Sequence, residues 1–205
     1  MQSRIVGRRG LTLVVALMLA LTAVLTGTLS STASGYSGYA ALVLADGPIA
    51  YYRLGESPGS TTMTDASGNG HDGTYSAGVT LGGPSAIGGG PDSSAAFAGA
   101  EEGATTGITA PTSGYTIEAW FRRADHSDGS IAGQVGGGQL LVRNDQLVLH
   151  QTQDDVVAPA LLDINTWYHV VATWDGSEAS LFVNASPVMV SATANVAPSG
   201  AGDFH

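Results

Sequence analysis

The stretch "YTIEAWFR", Tyr115 to Arg122, alternates apolar and polar side chains without a Gly or Pro to interrupt it. In a β-strand successive side chains point to opposite faces, so Ile117, Ala119 and Phe121 share one face while Glu118, Trp120 and Arg122 share the other. The same two-residue period recurs on both sides: "IAYYRL" (Ile49 to Leu54), "QLLVR" (Gln139 to Arg143), "QLVLHQ" (Gln146 to Gln151), "TWYHVVATW" (Thr166 to Trp174) and "ASLFVN" (Ala179 to Asn184). Shorter runs stand at Gly78, Ser94 and Pro187. Gly, Pro, Asn and Asp bound them, which is how strands are punctuated. Asn144-Asp145 places two residues that tolerate positive φ between two strands and predicts a hairpin. Asp175-Gly176 predicts a second turn. Nine or more short strands with almost nothing helical between them predict an all-β, antiparallel two-sheet sandwich.

The first 45 residues are of a different kind. They hold three of the seven Arg and none of the seventeen acids. "MQSRIVGRRG" is a basic start, "LTLVVALMLALTAVL" an uncharged apolar run, and "TGTLSSTASG" a small polar tail in which Ser31-Thr32-Ala33 suits a signal peptidase. Residues 1–33 therefore read as a secretory signal helix, with an uncleaved membrane anchor as the alternative, because a spanning helix needs roughly 20 apolar residues. Residues 34–38 would be a short leader. Either way the rest is expected outside the cytoplasm, secreted or held at the membrane only through that segment. The remainder, residues 39–205, is long enough for one sizeable core. With four Arg, no Lys and all seventeen acids it has a formal charge of −13, which repels nucleic acid and anionic membranes. No Cys occurs, so neither disulfides nor thiolate metal sites hold this domain together.

The stretch "DASGNGHDGTY", Asp65 to Tyr75, admits two readings. Asp65, Ser67, Asn69 and Gly70 fall at positions one, three, five and six of a calcium loop, where a hard cation takes alternating oxygens and Gly turns the chain. Asp65, Asn69 and Asp72 are then the candidate ligands and calcium the candidate cofactor. Position twelve, which should carry a carboxylate, is Ser76, and the flanks are strands. The other reading is a tight turn in which Asp and Asn oxygens cap backbone amides.

Glu118, Trp120 and Arg122 form a second candidate site, because an indole beside a carboxylate and a guanidinium could stack on a sugar ring and grip its hydroxyls. The same pattern also describes a structural strand whose aromatic packs and whose polar tip is satisfied. Catalytic arrangements are missing from the sequence. A retaining glycosidase needs two carboxyl groups about 5 Å apart, and Glu118 has no partner two residues away. Glu101-Glu102 would point to opposite faces of a strand, and the five His form no close pair. No Gly-x-Ser-x-Gly elbow is present.

Five motifs, "YAALVLADGPIAYYRLGE" (Tyr39 to Glu56), "DASGNGHDGTYSAGVTLG" (Asp65 to Gly82), "AAFAG" (Ala95 to Gly99), "YTIEAWFRR" (Tyr115 to Arg123) and "TWYHVVATWDGSEASLFV" (Thr166 to Val183), occur in an order that resembles the laminin-G-like, concanavalin A-like jelly-roll domains of secreted bacterial proteins. The resemblance implies a lectin-type jelly roll used as a non-catalytic module for carbohydrate or another cell-surface ligand. A structural or adhesion spacer in a larger surface protein is the alternative, and a glycoside hydrolase of the same fold a more distant one. Some domains of this kind bind calcium with help from an acidic residue near their end, which this chain lacks. It also has Phe97-Ala98-Gly99 and Val183-Asn184-Ala185 where an Asp-Gly pair is usual, and it stops at "GAGDFH" before the expected closing strands. Loss of a strand from the body of a sheet would leave backbone groups unpaired, so low stability is expected.

Overall fold

The structure, a computed structural model, describes residues 2–7, 34–88, 92–98, 103–109, 111, 114–134, 137–151 and 154–191. Its first half contains β1 (Gln2–Gly7), α1 (Ser34–Ala45), β2 (Ala50–Tyr52), β3 (Thr62–Met63), β4 (Gly73–Tyr75), β5 (Thr80–Gly83), β6 (Ser94–Ala96) and β7 (Ala104–Thr105). The second half contains β8 (Tyr115–Phe121), β9 (Gly129–Gly133), β10 (Gln139–Arg143), β11 (Gln146–His150), β12 (Asp155–Leu161), β13 (Tyr168–Trp174), β14 (Ala179–Val183) and β15 (Ser186–Ser191). All strand pairings are antiparallel.

Two sheets make the sandwich. One has six strands in the order β15-β14-β13-β8-β1-β2, the other four in the order β12-β11-β10-β9. Smaller sheets, β3-β4-β7 and β5-β6, flank them. The alternation in "YTIEAWFR" is realised residue by residue: Tyr115, Ile117, Ala119 and Phe121 are buried, and the residues between them are half-buried. Opposite them on β13, Val170, Ala172 and Trp174 are buried in register with Ala119, Ile117 and Tyr115. Facing this layer, Leu140, Leu147, Leu149 and Val156 of the four-stranded sheet complete one continuous core. Burying an aliphatic side chain of this size stabilises by roughly 1.5–3 kcal/mol, so the inner faces carry most of the stability.

Both predicted turns are present: Asn144 and Asp145 have φ of 50° and 63° between β10 and β11, and Gly176 has φ of 103° where the Asp175 N–H donates to the Glu178 carbonyl at 3.1 Å. A further pair, Asn184 and Ala185 with φ of 49° and 65°, turns the chain between β14 and β15. This pair of positive angles matches the right-handed twist of the strands it joins. Asp145 is also anchored from outside the hairpin, with Arg123 Nη2 at 2.5 Å and His126 Nδ1 at 2.9 Å from its Oδ1.

Three elements depart from the sequence reading. Residues 34–38, expected as a leader, begin the α1 helix. Its Ala- and Leu-rich run favours a helix, which ends where Gly47, at φ 62°, donates to the Leu44 carbonyl and Pro48 follows. Strand β9 was hidden by its glycines. Strand β12 contains Pro159, which an edge strand tolerates, and its pairing with β11 slips between Gln146 and Val148. Of the expected signal segment, residues 1–33, Gln2–Gly7 is described, as a strand. The apolar run from Leu11, Glu101-Glu102 and residues 192–205 lie outside the described residues.

One close approach constrains the end of the core. Tyr115 accepts a buried hydrogen bond from Gln151 Nε2 at 3.0 Å, and its hydroxyl sits against the backbone of Gly138. A Cβ on Gly138 would lie 1.8 Å from that oxygen, whereas one on Gly129 would meet nothing within 4 Å. Overpacking of this kind costs about 1–3 kcal/mol. Gly138→Ala is therefore expected to lower the unfolding free energy in urea by that amount, with Gly129→Ala near wild type; equal effects from the two would contradict the placement of Tyr115.

Candidate functional site

The "DASGNGHDGTY" segment links β3 to β4 and is organised around one carboxylate. Asp65 Oδ1 accepts from the backbone N–H of Tyr51 at 3.0 Å and of Ser67 at 2.8 Å. Its Oδ2 accepts from the Ser67 hydroxyl at 2.8 Å and the His71 N–H at 3.0 Å. Asp72 accepts from the Asp65 N–H at 2.8 Å, while Asn69 Nδ2 donates to the carbonyls of Pro48 and Ile49, each at 3.0 Å. Gly68 and Gly70 take φ of 84° and 79°. The three candidate ligands thus serve three separate purposes: Asp65 ties the loop to β2, Asp72 caps Asp65, and Asn69 fastens the segment entering β2. No group of three or more His, Asp or Glu placed to hold a metal ion occurs among the described residues.

Burial alone would push the Asp65 carboxyl up, but the hydrogen bonds from Tyr51, Ser67 and His71 outweigh it and hold the group below the usual aspartate range. The second candidate site is likewise occupied by protein contacts. Helix α1 lies over the outer face of the six-stranded sheet, where Tyr39 donates to Glu118 Oε1 at 3.0 Å and accepts from Trp120 Nε1 at 3.0 Å. His169 Nε2 lies 3.0 Å from the same Glu118 oxygen, and its ring is tilted against the Trp120 indole with centroids 5.0 Å apart. Burial, with the Glu118 charge beside it, pushes the Tyr39 hydroxyl up and keeps it a donor. Val43 of the helix and Tyr51 are buried here, outside the main core. Glu118 and Trp120 are therefore brought together, but toward Tyr39 and His169. Arg122 is not part of that cluster and stacks on Trp167 at 5.4 Å.

Two arrangements were not visible in the sequence. A cleft of about 280 Å³ is lined by Arg53, Gly55, Glu56, Thr64, Ala66 and Asp92. Arg53 directs both Nε and Nη2 to Asp92 Oδ2, each at 2.6 Å. Glu56 accepts from the Thr64 N–H at 2.9 Å and from the Tyr75 hydroxyl at 2.8 Å. Arg53 and Glu56 flank Leu54 and Gly55, whereas Asp92 arrives from the Gly- and Pro-rich loop after β5, and that long-range partner carried no sequence signal. The second arrangement lies on the outer face of the four-stranded sheet. There Asp155 joins Arg143 Nη1 at 2.5 Å and His150 Nδ1 at 2.6 Å, beside the register row Leu141, Val148 and Val157.

The Asp65 network gives a pH-dependent expectation. A carboxyl held low in the folded state contributes stability that is fully present above the ordinary aspartate range, about pH 4, and is lost as the pH falls through its folded value. Asp65→Asn, which turns an amide N–H₂ toward backbone donors, is expected to cost about 1–3 kcal/mol at neutral pH. Denaturation curves from pH 6 to pH 3 should show wild type and variant converging. A constant difference across that range would contradict the assignment.

The family described as the concanavalin A-like lectin/glucanases superfamily, in its laminin G form, matches residues 97–205. No curated protein sequence matches the chain. Among solved structures, that of a candidate carbohydrate binding protein from Bacteroides ovatus has 21% sequence identity and a TM-score of 0.41. The match covers 45% of this chain and 30% of that one. The family match runs through β8 and the ladder of β13, β14 and β15 as well as the whole four-stranded sheet, more than half of the sequence, and the chain belongs to the concanavalin A-like lectin/glucanase superfamily.

Proposed function

We propose that this chain is an exported, non-catalytic binding module for a neutral carbohydrate, and that the cleft of Arg53, Glu56 and Asp92 is where it binds. The observation that carries the reading is the cleft itself. It sets a cation and two carboxylates, each already held by protein hydrogen bonds, at the edge of a lectin-type sandwich. Small polar ligands are oriented by a few convergent groups of this kind in a concave site. Carboxylates and a guanidinium lining one cleft suit hydroxyl groups, which both donate and accept. The charge of −13 over residues 34–205 disfavours an acidic polysaccharide.

Catalysis receives no support from the same groups. Glycoside hydrolysis needs one carboxyl group that delivers a proton to the leaving oxygen and another that attacks or activates water. Here Asp92 is engaged by Arg53, and both Glu56 oxygens accept protein hydrogen bonds. Export is supported by the three-part pattern of residues 1–33. Among the described residues no helix is long and apolar enough to cross a membrane.

Calorimetric titration with neutral oligosaccharides, chosen from a glycan array, tests the assignment. Arg53→Ala is expected to weaken binding at least ~10-fold, equivalent to about 1.4 kcal/mol, while Glu118→Gln leaves affinity unchanged and no reducing ends appear. Binding that survives Arg53→Ala and fails in Glu118→Gln would move the site to the outer face. An array silent at every sugar would remove the carbohydrate reading.

A further inference from the structure

Arg53, Gly55 and Glu56 line the cleft, while Leu54 between them does not. Its backbone takes φ of 58°, a left-handed conformation in which Cβ crowds the neighbouring carbonyl and which bulky residues rarely adopt. Gly aside, the other described residues with positive φ are Asn144, Asp145, Asn165, Asn184 and Ala185. Asn and Asp tolerate that conformation, and Ala185 closes a hairpin. Leu54 instead follows β2 on the way to β3, a strand with which β2 does not pair. Its side chain is 2% exposed and belongs to the continuous core with Ala50 and Tyr52.

We propose that Leu54 is the positioning residue of the cleft: its left-handed backbone brings Arg53 and Glu56 to one side, and its buried side chain holds that turn in place. The inference rests on the cleft being the carbohydrate site. Strand side chains alternate, so a continued β2 would send Arg53 away from the core with Tyr51, and Glu56 into it with Ala50, Tyr52 and Leu54. A carboxylate there would be costly without a partner. The left-handed residue breaks the alternation. Arg53 reaches Asp92 Oδ2 through Nε and Nη2, and Glu56, three residues on, accepts from the Thr64 N–H and the Tyr75 hydroxyl while lining the same cleft. Gly55 completes the arrangement, because a Cβ on it would lie 3.1 Å from Asp92 Oδ1 and 3.4 Å from Asp92 Cα. Strain of this kind persists where the surroundings over-determine it. Here the core grips Leu54 from one side, and the contacts of Arg53 and Glu56 fix the chain on either flank. A ligand thus meets groups already in place, which lowers the ordering cost of binding.

Leu54→Gly and Leu54→Ala remove nearly the same packing and differ in backbone freedom. Gly is ordinarily the less stable choice of the two, but here Leu54→Gly is expected to unfold at the higher urea concentration. The Arg53 Nε–H, followed by NMR without ligand, reports the ion pair with Asp92. Its exchange with water is expected to be at least ~10-fold faster in Leu54→Ala than in Leu54→Gly, and the oligosaccharide that binds wild type at least ~10-fold weaker. Leu54→Ile keeps the volume but adds a β-branch that resists positive φ. If neither truncation folds, it carries the test, with Arg53 exchange at least ~10-fold faster than in wild type. Equal stability and exchange in Leu54→Ala and Leu54→Gly, or wild-type exchange in Leu54→Ile, would overturn the proposal, as would unfolding of all three alike. A wild type that binds no sugar removes the carbohydrate reading alone, and the Arg53 contrast then decides the role of Leu54.

Discussion

The fold rests on the ladder between β8 and β13, in which seven residue pairs run without a register shift from Tyr115–Trp174 to Phe121–Tyr168. No other pairing in the six-stranded sheet joins two seven-residue strands. Because side chains alternate strictly, this one register sends Ile117, Ala119, Val170 and Ala172 into the core together, all within 1% of complete burial. A slip of one residue would exchange that row for Glu118, Trp120, His169 and Val171. The two hairpins beyond β13 inherit their alignment from it: β14 pairs with β13, and β15 pairs with β14.

The same alternation explains why the proposed carbohydrate site lies at the rim. The outward row of the ladder is capped by α1, whose Tyr39 joins Trp120 to Glu118. A polar network in a half-buried layer must be satisfied internally, since an unpaired donor there is costly. The rim groups are paired within the protein too, but they line an open cleft instead of lying beneath a helix. Arg53, Glu56 and Asp92 stand where β2 gives way to loop and where the loop leading to β6 folds back, with polar groups open to a cleft. The Asp65 turn stiffens the adjacent wall, because it fastens Ala66 and its neighbours to Tyr51.

Much of the architecture was legible in the sequence, and its limits have physical causes. Strands with strict alternation, such as "YTIEAWFR" and "QLLVR", and the Asn144-Asp145 turn are local statements that tertiary contacts only confirm. Strand β9, "GSIAG", lacks that signal because its place depends on pairing with β10, not on its own side chains. α1 was readable from its helix formers and the Gly47-Pro48 stop, but residues 34–38 were read as a leader and no element was assigned up to Ala45. The site was less legible. Asp65, Asn69 and Asp72 have the residue types of both a cation loop and a turn, and only the positions of Tyr51 N and the Ile49 carbonyl distinguish them. Asp92 beside Arg53, and His150 beside Asp155, are meetings across loops or strands that no local spacing encodes.

Native-state amide hydrogen exchange tests the central ladder most directly, because protection reports which hydrogen bonds open only with the whole domain. The account places the slowest amides in β8 and β13, with Ala119, Val170 and Ala172 among them, and fast exchange at the exposed Gly59 in the turn before β3. Slowest exchange in α1 or in the β3-β4-β7 sheet, with β8 and β13 exchanging as readily as that turn, would contradict it.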